Sequence, residues 1–435
     1  VGGILVQTFS GYYNYEIGHY LGTLFGLYLP SFVIWALIAL WVQTLFDNPY
    51  LGLFLLILST FGNAALEQLG VEQTLFKFNT TPYPEMLLTY SDLTGYGASL
   101  LPFLIYKLYW LFFGFFMLLW ALLFWQRGLP QSWAERFQIM KTRFQGRTAI
   151  GMGLFLMAFL SLGTRLYYEE NVINHFYNQK ERKVLLKIHK KQYDHFQNTP
   201  QPRMTDIAIQ MDIYPKERRF EASGTYTLVN KTEQKIDTLL VEYAEDIITH
   251  YDLDKSIKLV SKDSLARFDI WTFENSLVPN DSVKLSFKIK TKDNTIFRKN
   301  NIVEQNGTYL HSLNFPSIGR WQEAKMPEDT THLENMYRSK DADFVNFKAV
   351  ISTSKDQKAI TTGYLQKEWT EGNRNYFEYS STSKVTNDFI VNSGKFEVKK
   401  DNWKEVDLSI YYHSKHDYNL EVMMEGMKAG LDYCS

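Results

Sequence analysis

The sequence predicts an α-helical transmembrane region followed by an all-β sandwich or saddle-shaped domain. Long apolar, aromatic-rich runs fill the chain up to about residue 166, and short alternating segments separated by polar turns come after it. Few of the 46 Lys+Arg and 47 Asp+Glu residues precede that point. We therefore divide the chain into a membrane region at 1–166, a connecting helix or linker at 167–202, a β domain at 203–415 and the start of a helical unit at 416–435.

The membrane region contains four apolar runs, each a candidate for crossing about 30 Å of hydrocarbon, which takes about 20 residues of helix. The runs extend from about Gly22 to Phe46, Tyr50 to Leu66, Ser99 to Trp125 and Thr148 to Thr164. The fourth is short and glycine-rich, which favours close packing against a helix over contact with lipid. Lys107, inside the third run, is either a functional charge or, more commonly, a side chain that reaches the interface or faces a neighbouring helix. Asn63 is predicted to form an interhelical hydrogen bond.

Lys and Arg residues predict the orientation of these runs. The loop between the third and fourth runs is basic, whereas the preceding loop is mildly acidic. Its basic residues are Arg127, Arg136, Lys141, Arg143 and Arg147, opposed by Glu135. Basic loops face the cytoplasm, so the β domain should be extracytoplasmic. The basic segment Lys180 to Lys191 weakens this argument. It belongs to Glu169 to Gln197, predicted to be a solvated connecting helix that carries His189 and His195 on its surface.

Period-2 alternation dominates after Arg203 and predicts sheets with one buried and one exposed face. The clearest apolar sets are Ile207, Ile209, Met211 and Ile213, followed by Val283, Leu285, Phe287 and Ile289. Further strands are predicted at Thr225 to Val229, Leu239 to Tyr243, Phe347 to Ile351, Tyr376 to Tyr379 and Leu408 to Tyr412. From about Tyr418 the pattern becomes helical.

The sequence contains no recognisable catalytic motif. No HExxH zinc signature is present among the nine His residues, and the cluster His413, His416 and Asp417 is more typical of a turn than of a metal site. His332 and Glu334 lack a third ligand nearby, and Ser393-Gly394-Lys395 lacks the upstream glycine of a phosphate-binding loop. The single Cys434 excludes an internal disulfide, and the net charge of -1 gives no indication of nucleic-acid binding. We predict no catalytic residue, metal ligand or cofactor in this chain.

Four segments, 218–243, 278–291, 306–322 and 347–365, resemble in order and spacing the N-terminal β domain of the M1, aminopeptidase N-like, zinc metallopeptidases. The third contains NFPSIG, residues 314–319. In that family a thermolysin-like catalytic domain follows, so the resemblance implies that this chain is a fragment of a longer zinc exopeptidase. Zinc is then expected in the full-length protein, because the family's GxMEN and HExxH motifs are not in these 435 residues.

The resemblance also implies a substrate-binding segment: Asn314, Phe315, Pro316 and Gly319 match the part of the β domain that approaches the peptide N-terminus. A purely structural turn made by Pro316 and Gly319 is the alternative. The membrane region in front of such a domain resembles bacterial fusions of an ABC-2-type permease with an M1 peptidase. That implies an integral protein of the bacterial inner or plasma membrane whose partners are the lipid bilayer, a peptide substrate and a separate ATP-binding cassette subunit.

Two other functions stay open at this point. One is an ABC-type transporter subunit whose peptidase-like domain is degenerate and captures substrate. The other is a membrane-anchored β-sandwich binding module that shares only the fold.

Overall fold

The computed structural model describes residues 2–13, 15–82, 88–125, 132–193, 196, 199–244, 246–263, 267–294, 302–319 and 344–435. They form two compact units. The first holds residues up to Thr89 together with Ser99–Leu186, and the second holds Tyr90–Ala98 and most of the chain from Lys187 onward. Arg127, His195, His332 and Glu334 lie outside the described residues, as does the side chain of His189.

The first unit is helical. Its helices are α1 Gly2–Phe9, α2 Ile17–Gly22, α3 Leu29–Leu45, α4 Pro49–Thr60, α5 Gly62–Gln68, α6 Leu100–Phe124, α7 Trp133–Arg143, α8 Gly146–Tyr167 and α9 Gln179–Tyr193. The last of these, α9, continues into the second unit after Leu186. Short π-helical and 3₁₀ turns join or extend these segments into three helices long and apolar enough to cross a membrane, at Ile17–Leu45, Gly97–Phe124 and Gly146–Ile173. The pair α4 and α5, bent by 41°, makes a fourth if it counts as one span. Length and composition thus agree with the four predicted runs.

The fourth apolar helix is longer than predicted, and the connecting helix begins later. Glu169 is buried and lies 2.9 Å from Arg165, so the turn Tyr168–Ile173 continues α8 instead of starting a solvated helix. His175 then adopts a left-handed backbone conformation (φ 48°), which interrupts the helix. A new helix starts at Gln179, where Asn178 and Glu181 cap each other. The prediction of one helix from Glu169 is therefore wrong at its start.

Two glycines of α8, Gly151 and Gly163, approach α6, in agreement with the predicted close packing against a helix. A Cβ at Gly163 would lie 3.0 Å from Tyr109 Cε2, and one at Gly151 would lie 3.2 Å from Leu119. The rest of the helix does not follow the prediction of limited lipid contact, because Leu154 and Met157 are 61% and 67% exposed within the described residues. Close packing is therefore limited to part of the helix surface.

The second unit is built from strands and a final helix, α10 Leu420–Cys434. The strands are β1 Arg203–Tyr214, β2 Arg219–Val229, β3 Ile236–Glu242, β4 Ile247–Leu253, β5 Ile257–Asp263, β6 Phe268–Leu277, β7 Ser282–Thr291, β8 Val303–Glu304, β9 Gly307–His311, β10 Ser317–Ile318, β11 Phe344–Ser354, β12 Lys358–Thr361, β13 Tyr364–Glu371, β14 Arg374–Ser380, β15 Val385–Thr386, β16 Ile390–Gly394, β17 Phe396–Trp403 and β18 Val406–His413. All the predicted strands are present.

Three sheets surround the main core. The largest has the order β13-β14-β11-β1-β2-β7-β4, with β15 on β11, and its β1 and β11 are parallel. Its inner face shares one hydrophobic cluster with residues of the sheets β10-β3-β6-β5 and β12-β16-β9-β8. The predicted alternation is confirmed in β7, where every second residue from Val283 to Ile289 is buried. The Phe287 ring covers Gly224 of β2, at which a Cβ would lie 2.5 Å from the ring.

A separate small core joins the last hairpin to α10. Leu408 and Ile410 of β18 pack with Leu420 and Met424 of α10. Lys428 reaches Asp401 at 2.7 Å, and Trp403 Nε1 donates to Asp432 at 2.9 Å. The predicted boundary at 415/416 thus falls inside a cluster that includes both the hairpin and the helix.

Candidate functional site

The predicted substrate segment begins with a single turn of 3₁₀ helix, Ser312–Asn314, directly after β9. The His311 backbone N–H donates to Asn314 Oδ1 at 2.8 Å, so this side chain caps its own turn. The Ser312 hydroxyl donates to Asp388 Oδ1, also at 2.8 Å. Asn314 is partly exposed and Asp388 is exposed, which leaves an amide and a carboxylate at the surface of the turn.

Phe315 lies in the main core and is 1% exposed. Its ring packs against Phe389 with centroids 4.9 Å apart and against Phe287 at 6.1 Å. Pro316 is also buried. These two residues hold the turn on the domain, and their side chains do not reach its surface.

After Pro316 the segment joins a sheet. Ser317 and Ile318 form β10 and pair with Glu242 and Val241 of β3. Gly319 has φ 88°, a conformation that favours glycine, and its N–H donates to Leu240 O at 2.9 Å. The backbone after β10 therefore favours glycine at this position, as expected if Gly319 only helps to make a turn.

Chemically, the turn offers acceptors for a positive charge. The exposed Asp388 carboxylate can pair with a cationic group, and the Asn314 amide adds a polar contact at its side. Asp388 was missed by the sequence reasoning, because it is 76 residues from Ser312 and no motif marks it. Of the four predicted residues, only Asn314 presents a side chain that could touch a ligand.

His413 ends β18, and the His416 N–H donates to the His413 carbonyl oxygen at 2.7 Å, so the two residues are joined by a turn. His416 Nε2 lies 2.9 Å from Asp92 Oδ2, and the His413 and His416 rings have centroids 5.9 Å apart. Among the described residues, no group of three His, Cys, Asp or Glu side chains is placed to hold a metal ion.

Two polar residues of the helical unit contact the segment between α5 and α6. Lys107 is 2% exposed and donates to the backbone oxygen and Oδ1 of Asn79, both at 3.0 Å. Asn63 donates to Phe78 O at 2.8 Å, so its predicted interhelical bond is replaced by one to a loop. Beside Lys107, Tyr106 donates to Glu170 near the end of the fourth apolar helix.

The β domain also buries a carboxylate that the sequence did not indicate. Glu304 is 9% exposed, pairs with Arg218 at 3.0 Å and accepts a hydrogen bond from the Ala98 N–H. Burial raises the pKa of Glu304, an effect that the Arg218 guanidinium partly offsets.

A second buried carboxylate, Asp269, accepts from Tyr251 Oη at 2.7 Å, and Trp271 Nε1 donates to the same Tyr251 oxygen at 2.6 Å. Burial, with Asp269 adding to it, raises the pKa of Tyr243 to about 12. Tyr251 also lines a groove of about 550 Å³ across the large sheet, together with His250 and Lys288.

These observations define a unit of apolar helices and a β-sheet-rich unit. No family model matches the chain, and no curated protein matches it. Among solved structures, it is similar to an M1 zinc metallopeptidase from Deinococcus radiodurans, with a TM-score of 0.33, 10% identity and coverage of 48% of this chain and 46% of that one. A mutant of that enzyme bound to a Tyr-Ser-Ala substrate matches with the same values. The chain thus spans about half the length of these enzymes.

Proposed function

We propose that this chain is the membrane anchor and non-catalytic β domain of an M1-like zinc aminopeptidase that removes residues from peptide N-termini. The chemistry would be supplied by a following domain, in which a metal-bound water attacks the peptide bond. The role of this chain is to hold that domain at the membrane and to contribute the Asn314 turn to the substrate's amine end.

The observation that carries the proposal is the Asn314 turn. It presents an amide and the Asp388 carboxylate at the surface, and two buried residues, Phe315 and Pro316, fix it to the core. The order of the four segments that resemble the M1 β domain supports the same function. The helix α10 is compatible with a following domain, because Val422 and Met423 are 66% and 52% exposed beside the residues that pack on the hairpin.

The direct test uses the product of the complete gene in native membranes. Aminoacyl-nitroanilide hydrolysis should be present, should disappear with a zinc chelator and should return with added zinc, whereas this chain alone should show none. A folded full-length protein that contains no stoichiometric zinc and releases no amino acids would exclude the peptidase.

Orientation is tested by cysteine labelling in intact cells. The proposal places Lys141 in the cytoplasm and the β domain outside, in a bacterial inner or plasma membrane. The exposed native Cys434 should therefore react with an impermeant maleimide, and a cysteine at Lys141 in a Cys434→Ser background should not. The reverse pattern would invert the topology.

Transport is the second candidate function. It is favoured by the ionisable groups of the helical unit, the buried Lys107 on Asn79 and the partly buried Glu170 beside Tyr106, because ionisable groups among apolar helices commonly belong to transport pathways. In this role the helices would work with a separate ATP-binding cassette subunit. Co-purification of such a subunit with the full-length protein, combined with absent peptidase activity, would favour this candidate.

A further inference from the structure

The helix α9 carries exposed apolar residues beside basic ones. Val184 and Ile188 are one turn apart, so they share a face, and they are 55% and 54% exposed. The helix sequence, QKERKVLLKIHKKQY, contains six Lys or Arg residues and one acidic residue, Glu181. An apolar stripe next to a dense positive charge is typical of helices that lie on a membrane surface.

The first turn of α9 is held beside the ends of two apolar helices. The Gln179 N–H donates to Glu72 Oε2 at 2.7 Å, and Glu72 comes four residues after the end of α5 at Gln68. The chain itself gives a second tether, because Gln179 follows Ile173, the end of the fourth apolar helix, by six residues. Six residues span at most about 22 Å. The start of α9 is therefore close to the level at which these two helices end.

The basic side chains are placed to meet headgroups. Lys180 and Lys187 lie one turn from Val184 on either side, and Arg182 and Lys183 are likewise exposed. Long basic side chains can extend to phosphate groups while the apolar stripe enters the boundary between headgroups and acyl chains. Because the apolar pair and the lysines adjoin, one lipid surface can satisfy both.

We propose that α9 lies on the bilayer surface, with Val184 and Ile188 inserted at the acyl boundary and its lysines bound to anionic phospholipid headgroups. The inference rests on the proposed membrane insertion of the apolar helices. It replaces the solvated connecting helix predicted from the sequence. It also accounts for the basic segment Lys180 to Lys191, since lysines that bind lipid at the surface need not report a cytoplasmic loop.

The test uses the full chain in a Cys434→Ser background, reconstituted into nanodiscs of phosphatidylcholine with or without phosphatidylglycerol. Spin labels at Val184 and Ile188 are compared for collisions with oxygen, which enters lipid, and with a nickel chelate, which stays in water. We expect both labels to lose nickel accessibility in the anionic discs and to lie about 5–10 Å below the headgroups. A label at Arg182, on the opposite face of the helix from Val184, should stay accessible to nickel in both lipids.

A label at Met157, which is 67% exposed on α8, separates the two proposals. Nickel access at Met157 would show that the membrane region itself is wrong. A lipid-buried Met157 together with nickel-accessible Val184 and Ile188 would overturn the α9 inference alone. Labels at Val184 and Ile188 shielded from both probes, independently of lipid, would assign the face to a protein and would also overturn it.

A charge variant completes the experiment. Replacing Lys180, Lys183 and Lys187 by Gln should remove the difference between the two lipid compositions at Val184 and leave the helical circular dichroism unchanged. A preserved lipid difference in this variant would contradict headgroup binding by these lysines.

Discussion

The two units arrange apolar side chains in opposite ways. In the helical unit large apolar residues point outward, and Phe32, Leu154 and Met157 are between 61% and 67% exposed. In β7 of the second unit, Leu285 and Phe287 are at most 2% exposed, and Lys284, Ser286 and Lys288 beside them are exposed. An exposed apolar surface like that of the helical unit is costly in water and favourable in lipid.

Polar residues show the same contrast. Lys107 and Glu169 are buried among the helices at 2% and 1% exposure, each with a hydrogen bond or ion pair. In the large sheet, polar residues such as Lys288 stand on the outer face. The comparison teaches that the two units place apolar and polar side chains in opposite ways, as the proposed membrane insertion of the helices requires.

The largest expected effect tests the water-soluble side of this comparison. Phe287→Ala removes a ring that fills the space over Gly224, and we expect it to lower the free energy of unfolding by about 3–5 kcal/mol. For a domain of this size the melting temperature should fall by roughly 10 °C. Thermal unfolding of the purified chain measures it. The neighbouring Lys288→Ala should stay within about 0.5 kcal/mol of the native protein, and equal effects for the two variants would contradict the burial of the ring.

The lipid side is tested by placing a charge on the exposed helix surface. Met157→Arg should oppose membrane insertion by about 2.5–3.5 kcal/mol, because the guanidinium would face hydrocarbon. The fraction of chain that resists alkaline extraction from membranes should fall. Val278→Arg, at a residue 43% exposed in the β domain, is the control and should extract like the native chain. If Met157→Arg also extracts like the native chain, this surface faces water or protein.

The sequence predicts the fold well where a pattern is local. The alternation of β7 and the length of the apolar runs follow from neighbouring residues, and both agree with the structure. The start of the connecting helix was misplaced because Glu169 looks like a surface residue, although its burial against Arg165 extends α8.

The candidate site was only partly predictable. Its turn could be placed from NFPSIG, but its partner Asp388 could not, because their contact depends on how β9 and β16 pair. The ion pair of Glu304 with Arg218 joins residues 86 positions apart and leaves no local signal. Side-chain burial at Phe315 likewise depends on Phe389, far along the chain.

A pH titration tests the buried carboxylate in the β domain. Burial raises the pKa of Glu304 in the folded state above its unfolded value, so the stability that this group contributes is present below pH 4.5 and is lost as pH rises through the folded pKa. We therefore expect Glu304→Gln to gain stability relative to the native chain between pH 4 and pH 7. Urea unfolding at both pH values measures the difference, and an unchanged difference would show that the pKa is not raised.

Asp206 is the control, because its pKa is shifted in the opposite direction. Hydrogen bonds from Asn346 at 2.8 Å and Thr205 at 2.7 Å lower its pKa, so its contribution is present above about pH 4 and is lost as pH falls through the folded pKa. Asp206→Asn should be less stable than the native chain at pH 7 and should approach it at low pH. If the stability differences of both variants from the native chain change in the same direction with pH, the pH dependence comes from the whole protein and from neither carboxylate.

The smallest expected effect concerns the one predicted site residue that reaches the surface. Asn314→Ala removes the acceptor for the His311 N–H, and we expect it to lower the free energy of unfolding by about 1 kcal/mol, the usual value of such a cap. Asn314→Asp keeps an acceptor at the same place and should restore the stability. In the full-length enzyme, Asn314→Ala should lower kcat/KM for aminoacyl substrates about tenfold, which corresponds to about 1.4 kcal/mol for a lost polar contact to an amine. Asn314→Asp distinguishes capping of the turn from contact with substrate. If its stability recovers but its kinetics differ from those of the native enzyme, the side chain contacts substrate. If both folded variants have native kinetics, the side chain only caps the turn.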